Sequence, residues 1–200
     1  MADEQGASHS WRAGLSRRIE ELYSSDSDEG EQSIVLHEWV PRALASWEAS
    51  FRHRNIRLEL DLGLAPAIHM PESPLYKTFG GLVRNAIEGT PDGGAVRIEL
   101  QEQDGSVYLR VRDSGIGMDE ESQRHLFHGF VHAGSTEDYS SRRPYDFKAG
   151  GKGLDLLRAK LFSERYGFRI TFESKIGLGS VFSLEFPGPM LLTQGNGDDR

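Results

Sequence analysis

Three clusters in this chain carry residues that could do chemistry. The first is Asp113-Ser-Gly115-Ile-Gly117-Met118. An ionised carboxylate is an acceptor-only group. At a purine edge it can accept a hydrogen bond from the exocyclic amine of adenine and repel the carbonyl oxygen that guanine presents there. Gly115 and Gly117 have no side chain, which would let backbone approach a ring closely. The second cluster is Gly150-Gly151-Lys152-Gly153-Leu154. Glycines ahead of a helix leave N–H groups free for an anion, and the helix end adds partial positive charge. Lys148 and Lys152 would neutralise phosphate charge there. The spacing is not that of a P-loop, and no strand immediately precedes it as in a dinucleotide-binding turn. The third is Asn85, in Leu82-Val-Arg-Asn85-Ala-Ile-Glu88. Its neighbours form an apolar stripe, so its amide needs a partner. A neutral amide oxygen suits Mg²⁺ that is otherwise held by water and phosphates. Each cluster alone also has an ordinary reading: an Asx turn ending a strand, a flexible linker, a helix-surface amide.

The elements that would position them follow from periodicity. Val40, Leu44, Trp47 and Phe51 mark one amphipathic helix, and Leu58, Leu60 and Leu62 a half-buried strand. Ser73-Pro74 reads as an N-cap followed by proline at the first helical position. Leu75, Phe79, Leu82, Val83, Ala86 and Ile87 then give a second helix, with Asn85 on it. Val96–Leu100 and Val107–Val111 alternate as strands joined at Asp104-Gly105, a hairpin signal. Asp113 follows directly. Residues 113–152 read as loop with one short helix. Leu154, Leu157 and Leu161 mark a third long helix, opened by the second glycine cluster. Phe168, Ile170, Phe172 and Phe182, Leu184, Phe186 form two last strands around Ile176-Gly-Leu-Gly179. The links within 57–112 and 168–186 are short enough for antiparallel neighbours. The pattern is an α/β two-layer sandwich: a mixed, mainly antiparallel sheet covered on one face by three helices. Arg97, Arg110 and Arg112 fit a polar uncovered face.

The domain so defined spans 33–187. Residues 1–32 hold a short apolar stripe (Trp11, Leu15, Ile19, Leu22) and the acidic, serine-rich linker Ser24–Gln32, and 188–200 read as a tail. Lys and Arg number 23 against 31 Asp and Glu, a net charge of −8. That balance argues against general nucleic-acid or anionic-membrane binding. There is no cysteine, so disulfides, thiolate metal sites and a cysteine nucleophile are excluded. The longest apolar runs are three residues, such as Ile34–Leu36, far below the ~20 that a spanning helix needs.

In order and on these elements, the clusters resemble the motifs of the GHKL superfamily: gyrase, heat-shock chaperone, histidine kinase and MutL-type ATPases. LVRNAIEGTPDGG around Asn85 resembles the N box, DSGIGM the first glycine box, and Leu126-Phe127-His-Gly-Phe130 the F box. GGKGLDLL at 150–157 resembles the second glycine box, and Gly177-Leu-Gly179-Ser180-Val-Phe182 the last glycine element. The NAIE and TPDGG phrase and the F box are most similar to sensor histidine kinases, whose fold is the Bergerat sandwich. The resemblance implies ATP and Mg²⁺ as cofactors. Asn85 would hold Mg²⁺ and, with Lys152, serve catalysis. Asp113 would bind the adenine amine, supported by Ser180, with Gly115 and Gly117 at the ring. Lys148 and the amides of Gly151, Gly153 and Leu154 would hold phosphate. Residues 129–150 would form the ATP lid, with Tyr139, Arg142 and Arg143 as further contacts. It also implies a cytoplasmic domain with two partners: the histidine-bearing dimerisation hairpin of a parent kinase, of which residues 11–22 would be a remnant, and a downstream response regulator.

Two positions depart from that pattern. Histidine kinases usually carry a second Asn one turn before Asn85, and hydrolysing relatives a glutamate base; here it is Gly81. A glycine of the second glycine box is Asp155, whose charge should repel phosphate. Of the seven histidines, 9, 37, 53, 69, 125, 128 and 132, none is placed as a phosphoacceptor. His37 precedes Asn85 by only 48 residues, already filled by a helix and strand of the ATP domain. His125, His128 and His132 read as lid packing. Phosphoryl transfer would therefore use a histidine outside this chain. The departures leave two rival readings, a stand-alone GHKL serine kinase of the anti-sigma type and a non-catalytic nucleotide-binding module.

Overall fold

Asp104 and Gly105 both have positive φ, 52° and 73°, the geometry of the two-residue turn whose twist matches paired strands. That turn fixes the register of β4 (Ala95–Gln103) against β5 (Ser106–Asp113), with Gln103 opposite Ser106 and Val96 opposite Asp113. The alternation then puts Val96, Ile98, Leu100, Val107, Leu109 and Val111 on one buried face. The computed structural model describes residues 30–127, 143–149 and 154–191. In chain order the other elements are β1 (Gln32–Ile34), α1 (Leu36–Phe51), β2 (Arg57–Leu62), β3 (Ile68–Met70) and α2 (Glu72–Gly89), then, after β5, α3 (Glu120–His125), α4 (Leu154–Tyr166), β6 (Arg169–Lys175) and β7 (Gly179–Phe186).

The five-stranded sheet runs β2-β4-β5-β7-β6. Every pairing is antiparallel except β2 with β4. That pair corrects the expectation of antiparallel neighbours throughout 57–112. The chain between Leu62 and Ala95 contains α2 and so forms a crossover, which returns a strand in the same direction. Across the sheet, Ile98, Val111, Phe182 and Phe172 form one inward row, and Leu100, Leu109, Leu184 and Ile170 the next.

Helix α2 lies over this face with one apolar stripe, on which Leu75, Phe79, Leu82 and Ile87 are fully buried. It starts at Glu72 with Pro71 as N-cap, not at a Ser73 cap. Pro74 falls in the first turn, where its missing N–H has no helical partner in any case, so the proline suits both starts. Helix α1 packs on α2 through Trp39 and Trp47, whose rings lie 5.6 Å and 5.8 Å from Phe79.

The outer face of the sheet is polar. Arg97 pairs with Asp61 at 2.5 Å and Glu99 at 3.1 Å, and Arg110 donates to Gln101 at 2.9 Å. Beyond the sheet, β1 and β3 form a two-stranded antiparallel pair. A 3₁₀ turn at Gly188–Met190 follows β7, and Met190 and Leu191 pack on the core. The N-terminal apolar stripe, the acidic linker up to Glu29 and the tail from 192 lie outside the described residues. Among the described residues no helix is long and apolar enough to cross a membrane.

Candidate functional site

Strand β5 ends by burying a carboxylate: Asp113 is 7% exposed. Its Oδ1 accepts from the Gly115 N–H at 2.8 Å, and Ser180 donates through its backbone N–H and its hydroxyl. Those donors favour the ionised form, but loss of water outweighs them and pushes the carboxyl up to about 6. Ser180 is tied in turn to Ser174, their hydroxyls 2.9 Å apart, and Ser174 accepts from the Met118 N–H at 2.9 Å. Ser174 is not legible as a site residue in the sequence, because a serine in phase with Ile170 and Phe172 looks like the polar end of an apolar strand face.

Asp113, Gly117 and Ser180 line one cavity together with Asn85, Gly89 and Asp155, about 230 Å³ in volume. The distant segments 85, 113–118 and 180 therefore converge. Its apolar walls come from Ile116, Met118, Leu126, Leu156 and Phe182. An apolar slot with one buried acceptor fits a flat heterocycle that presents an amine to the carboxylate. Leu126 of the F box forms part of the wall, and Phe127 beside it packs edge-on to Phe172 at 5.7 Å.

The glycines of the 113–118 loop are required by the packing of the chain on itself. A Cβ on Gly115 would collide with the Gly89 carbonyl, and one on Gly117, at φ 66°, with the Lys175 carbonyl. They let three chain segments close on one another: Ile116 N–H donates to Gly89 at 3.1 Å, and Gly177 N–H to Ile116 at 2.7 Å. Gly117 still borders the cavity; Gly115 does not.

Leu154 is the first residue of α4, half-buried, and Asp155 and Leu156 after it reach the cavity. The N-terminal end of α4 therefore borders the site. Gly151, Lys152 and Gly153 lie outside the described residues, as do Tyr139, Arg142, Phe130, His128 and His132. Lys148 is exposed, its Nζ 5.5 Å from the centre of the Phe147 ring and not in the cavity wall. Arg143 is exposed as well. His37 sits in the first turn of α1, as the count of intervening residues requires.

Asp155 does not stand as a free charge against a phosphate. It accepts from Arg158 at 2.7 Å and pairs with Arg84, and its side chain is 14% exposed. The expected repulsion is thus offset by two guanidinium groups. Arg158 also donates to the Lys77 carbonyl at 3.3 Å, tying α4 to α2. Asn85 brings a neutral side-chain amide to the cavity wall. Among the described residues no three His, Cys, Asp or Glu side chains gather as a metal cage. The donor set fits a magnesium ion that brings phosphate and water ligands with it.

A second buried acid, Glu88, anchors residues 143–149. It accepts from the Tyr145 N–H at 3.1 Å, and its own carbonyl accepts from the Lys148 N–H at 2.8 Å. Burial raises its pKa, against the opposing pull of the Tyr145 hydrogen bond and of Arg84 and Arg54. Arg54, 4% exposed in its side chain, bonds the carbonyls of Ile87, Thr90 and Tyr145 at 3.2, 2.7 and 2.6 Å and Asp92 at 2.8 Å.

The family of histidine kinase-, DNA gyrase B- and HSP90-like ATPases matches residues 70–190, more than half of the chain. Among curated proteins, sensor histidine kinase RppB of Synechocystis is 34% identical over 116 residues, covering 58% of this chain and 24% of RppB. The phosphate regulon sensor PhoR of Pseudomonas aeruginosa is 32% identical over 133 residues, 66% of this chain and 28% of PhoR. The chain thus spans about a quarter of the length of these relatives. Among solved structures, the mycobacterial sensor histidine kinase MprB has a TM-score of 0.63 at 18% identity over 78% of this chain and 97% of that one. The catalytic domain of histidine kinase ThkA has 0.63 at 23% over 79% and 95%. At these identities the structures establish the fold, a mixed sandwich of the kind expected. With the match over 70–190 and the run of sensor kinases among its relatives, the chain belongs to the histidine kinase-, DNA gyrase B- and HSP90-like ATPases, as an ATP-binding catalytic domain of the sensor histidine kinase kind.

Proposed function

We propose that this domain binds Mg·ATP and presents the γ-phosphate to a histidine outside the chain, on the dimerisation hairpin of a sensor kinase. A response regulator would take the phosphoryl group in turn, in the cytoplasm. The observation that carries the reading is the shared cavity of Asp113 and Asn85. Asp113 selects the base through its amine, and the apolar walls take the ring. Asn85 holds the metal that the phosphates bring, and the N-terminal end of α4 faces their negative charge. No residue of the domain needs to form a covalent bond. The domain contributes positioning and charge neutralisation, which supply most of the catalysis in phosphoryl transfer. Gly81 offers no carboxylate to activate water, which favours transfer over hydrolysis.

The test is titration of wild type, Asp113→Asn and Asn85→Ala with ATP, with and without Mg²⁺. The aspartate change is expected to abolish binding of adenine nucleotides. The asparagine change is expected to leave metal-free binding and remove the gain that Mg²⁺ brings. Equal affinity in all three proteins would defeat the assignment.

A further inference from the structure

We infer that Arg84 contacts the terminal phosphate of the nucleotide, and that Asp155 is the residue that positions Arg84 for it. This rests on the nucleotide reading above and extends it to a residue that no motif assigns.

The cavity at Asp113, about 230 Å³, is smaller than the ~300–1,000 Å³ typical of pockets that enclose a whole ligand. A nucleoside triphosphate anchored there by its base must leave by its phosphate end. Asp155 forms a wall shared with a second groove, which Gly81, Arg84, Tyr145 and Arg158 also line. Gly81, Arg84, Asn85 and Glu88 stand at i, i+3, i+4 and i+7 of α2 and so share one helix face. The metal-holding asparagine and the arginine are thus neighbours on the side that looks toward α4.

The charges in this groove are arranged for an anion. Two guanidinium groups surround one carboxylate, which leaves the trio with one net positive charge. Glu88 on the same face accepts from the Tyr145 N–H at 3.1 Å and is attracted by Arg84, and Lys77, which also lines the groove, offsets its charge. The two arginines are not equivalent. Arg158 is 16% exposed and bonds both Asp155 and the Lys77 carbonyl, so it ties the helices together. Arg84 is 35% exposed and is held through one terminal nitrogen by Asp155. A guanidinium carries five N–H donors in a rigid fork, and the contact with Asp155 is made by one terminal nitrogen of it. Asp155 fixes its direction, as a carboxylate orients an arginine in a paired hydrogen bond.

ADP lacks the terminal phosphate, so this contact should appear in ATP affinity and not in ADP affinity. The experiment titrates Mg·ATP and Mg·ADP into the whole chain as wild type, Arg84→Gln, Arg84→Lys and Asp155→Asn. Arg84→Gln is expected to weaken ATP about tenfold and leave ADP within about twofold. Arg84→Lys, which keeps the charge without the fork, should fall between. Asp155→Asn should lower the ratio of ATP to ADP affinity in the same direction. If ATP and ADP weaken together, or if Arg84→Gln leaves ATP unchanged, Arg84 is only a tie between helices and the inference fails. An unchanged ratio in Asp155→Asn overturns the positioning role. Wild type that binds neither nucleotide defeats the nucleotide reading itself, and this inference with it.

Discussion

A Cβ built on Gly81 would lie 3.0 Å from Cβ of Asp155, so the two positions that depart from the family's motifs touch each other. A glycine inside a helix costs about 1 kcal/mol relative to alanine. At this position it leaves α2 without a side chain where the first turn of α4 crosses, and the carboxylate of Asp155 fills that space and reaches Arg84 and Arg158. The departures are one packing solution rather than two separate losses.

That coupling is measurable. Gly81→Asn alone must push α4 away or displace Asp155, and is expected to destabilise by about 1–2 kcal/mol as overpacking. In an Asp155→Gly background the same change meets open space and should cost little. Urea unfolding of the four proteins would give an interaction energy of about 1–2 kcal/mol favouring the double variant. Additive effects would show that the contact has no energetic content.

Asp113 carries a predicted conflict between stability and function. Its carboxyl titrates near 6 in the fold against about 3.9 in an unfolded chain. Between those values the native state binds more protons than the unfolded state, so this group's contribution to stability falls as pH rises from about 4 to 6 and stays lost above. Asp113→Asn removes that buried charge. It should raise stability at pH 7 by about 1–3 kcal/mol, and show no gain below about pH 4, while it abolishes nucleotide binding. Thermal unfolding across pH 3.5–8 reads the difference; a variant less stable than wild type at pH 7 would contradict burial of the charge as the cause.

Much of the molecule is legible in its sequence because it is periodic. The strands from 95 to 111 and 168 to 186 alternate cleanly, and Asp104-Gly105 names its own turn. Asn85, Asp113 and Ser180 stand out because their neighbours form strings whose order is specific, and the fold brings those strings to one cavity. Strands β1 and β3 escape a sequence reading because three residues show no period, and residues 188–191 look like tail although Leu191 bridges to Ile68. Arg54 and Glu88 escape it for another reason: each is an ordinary charged residue in sequence. Their roles arise from backbone carbonyls and N–H groups of segments about 35 to 90 residues away, which no local pattern encodes.

The buried guanidinium of Arg54 serves three carbonyls at the end of α2 and in 143–149. Arg54→Met keeps the volume and leaves those acceptors unpaired, at an expected cost of about 2–4 kcal/mol. Because Tyr145 is held by Arg54 through its carbonyl and by Glu88 through its N–H, protease cleavage within 143–149 should also become faster than in wild type. Unchanged cleavage with unchanged stability would show that Arg54 does not hold this segment.

The raised pKa of Asp113 also predicts how base selection should depend on pH. An ionised carboxylate accepts from the amine of adenine; a protonated one can donate to the carbonyl oxygen of guanine. ATP binding should therefore favour the ionised form, and ATP affinity should fall below about pH 6, approaching tenfold per pH unit as the free protein becomes protonated. GTP affinity should fall less, or rise, over the same range, so the preference for ATP narrows on acidification. Binding of ATP at pH 5 should release a proton, visible as a dependence of the calorimetric heat on the ionisation enthalpy of the buffer. An ATP to GTP ratio that is flat from pH 5 to 8 in wild type would mean that the carboxylate does not meet the base.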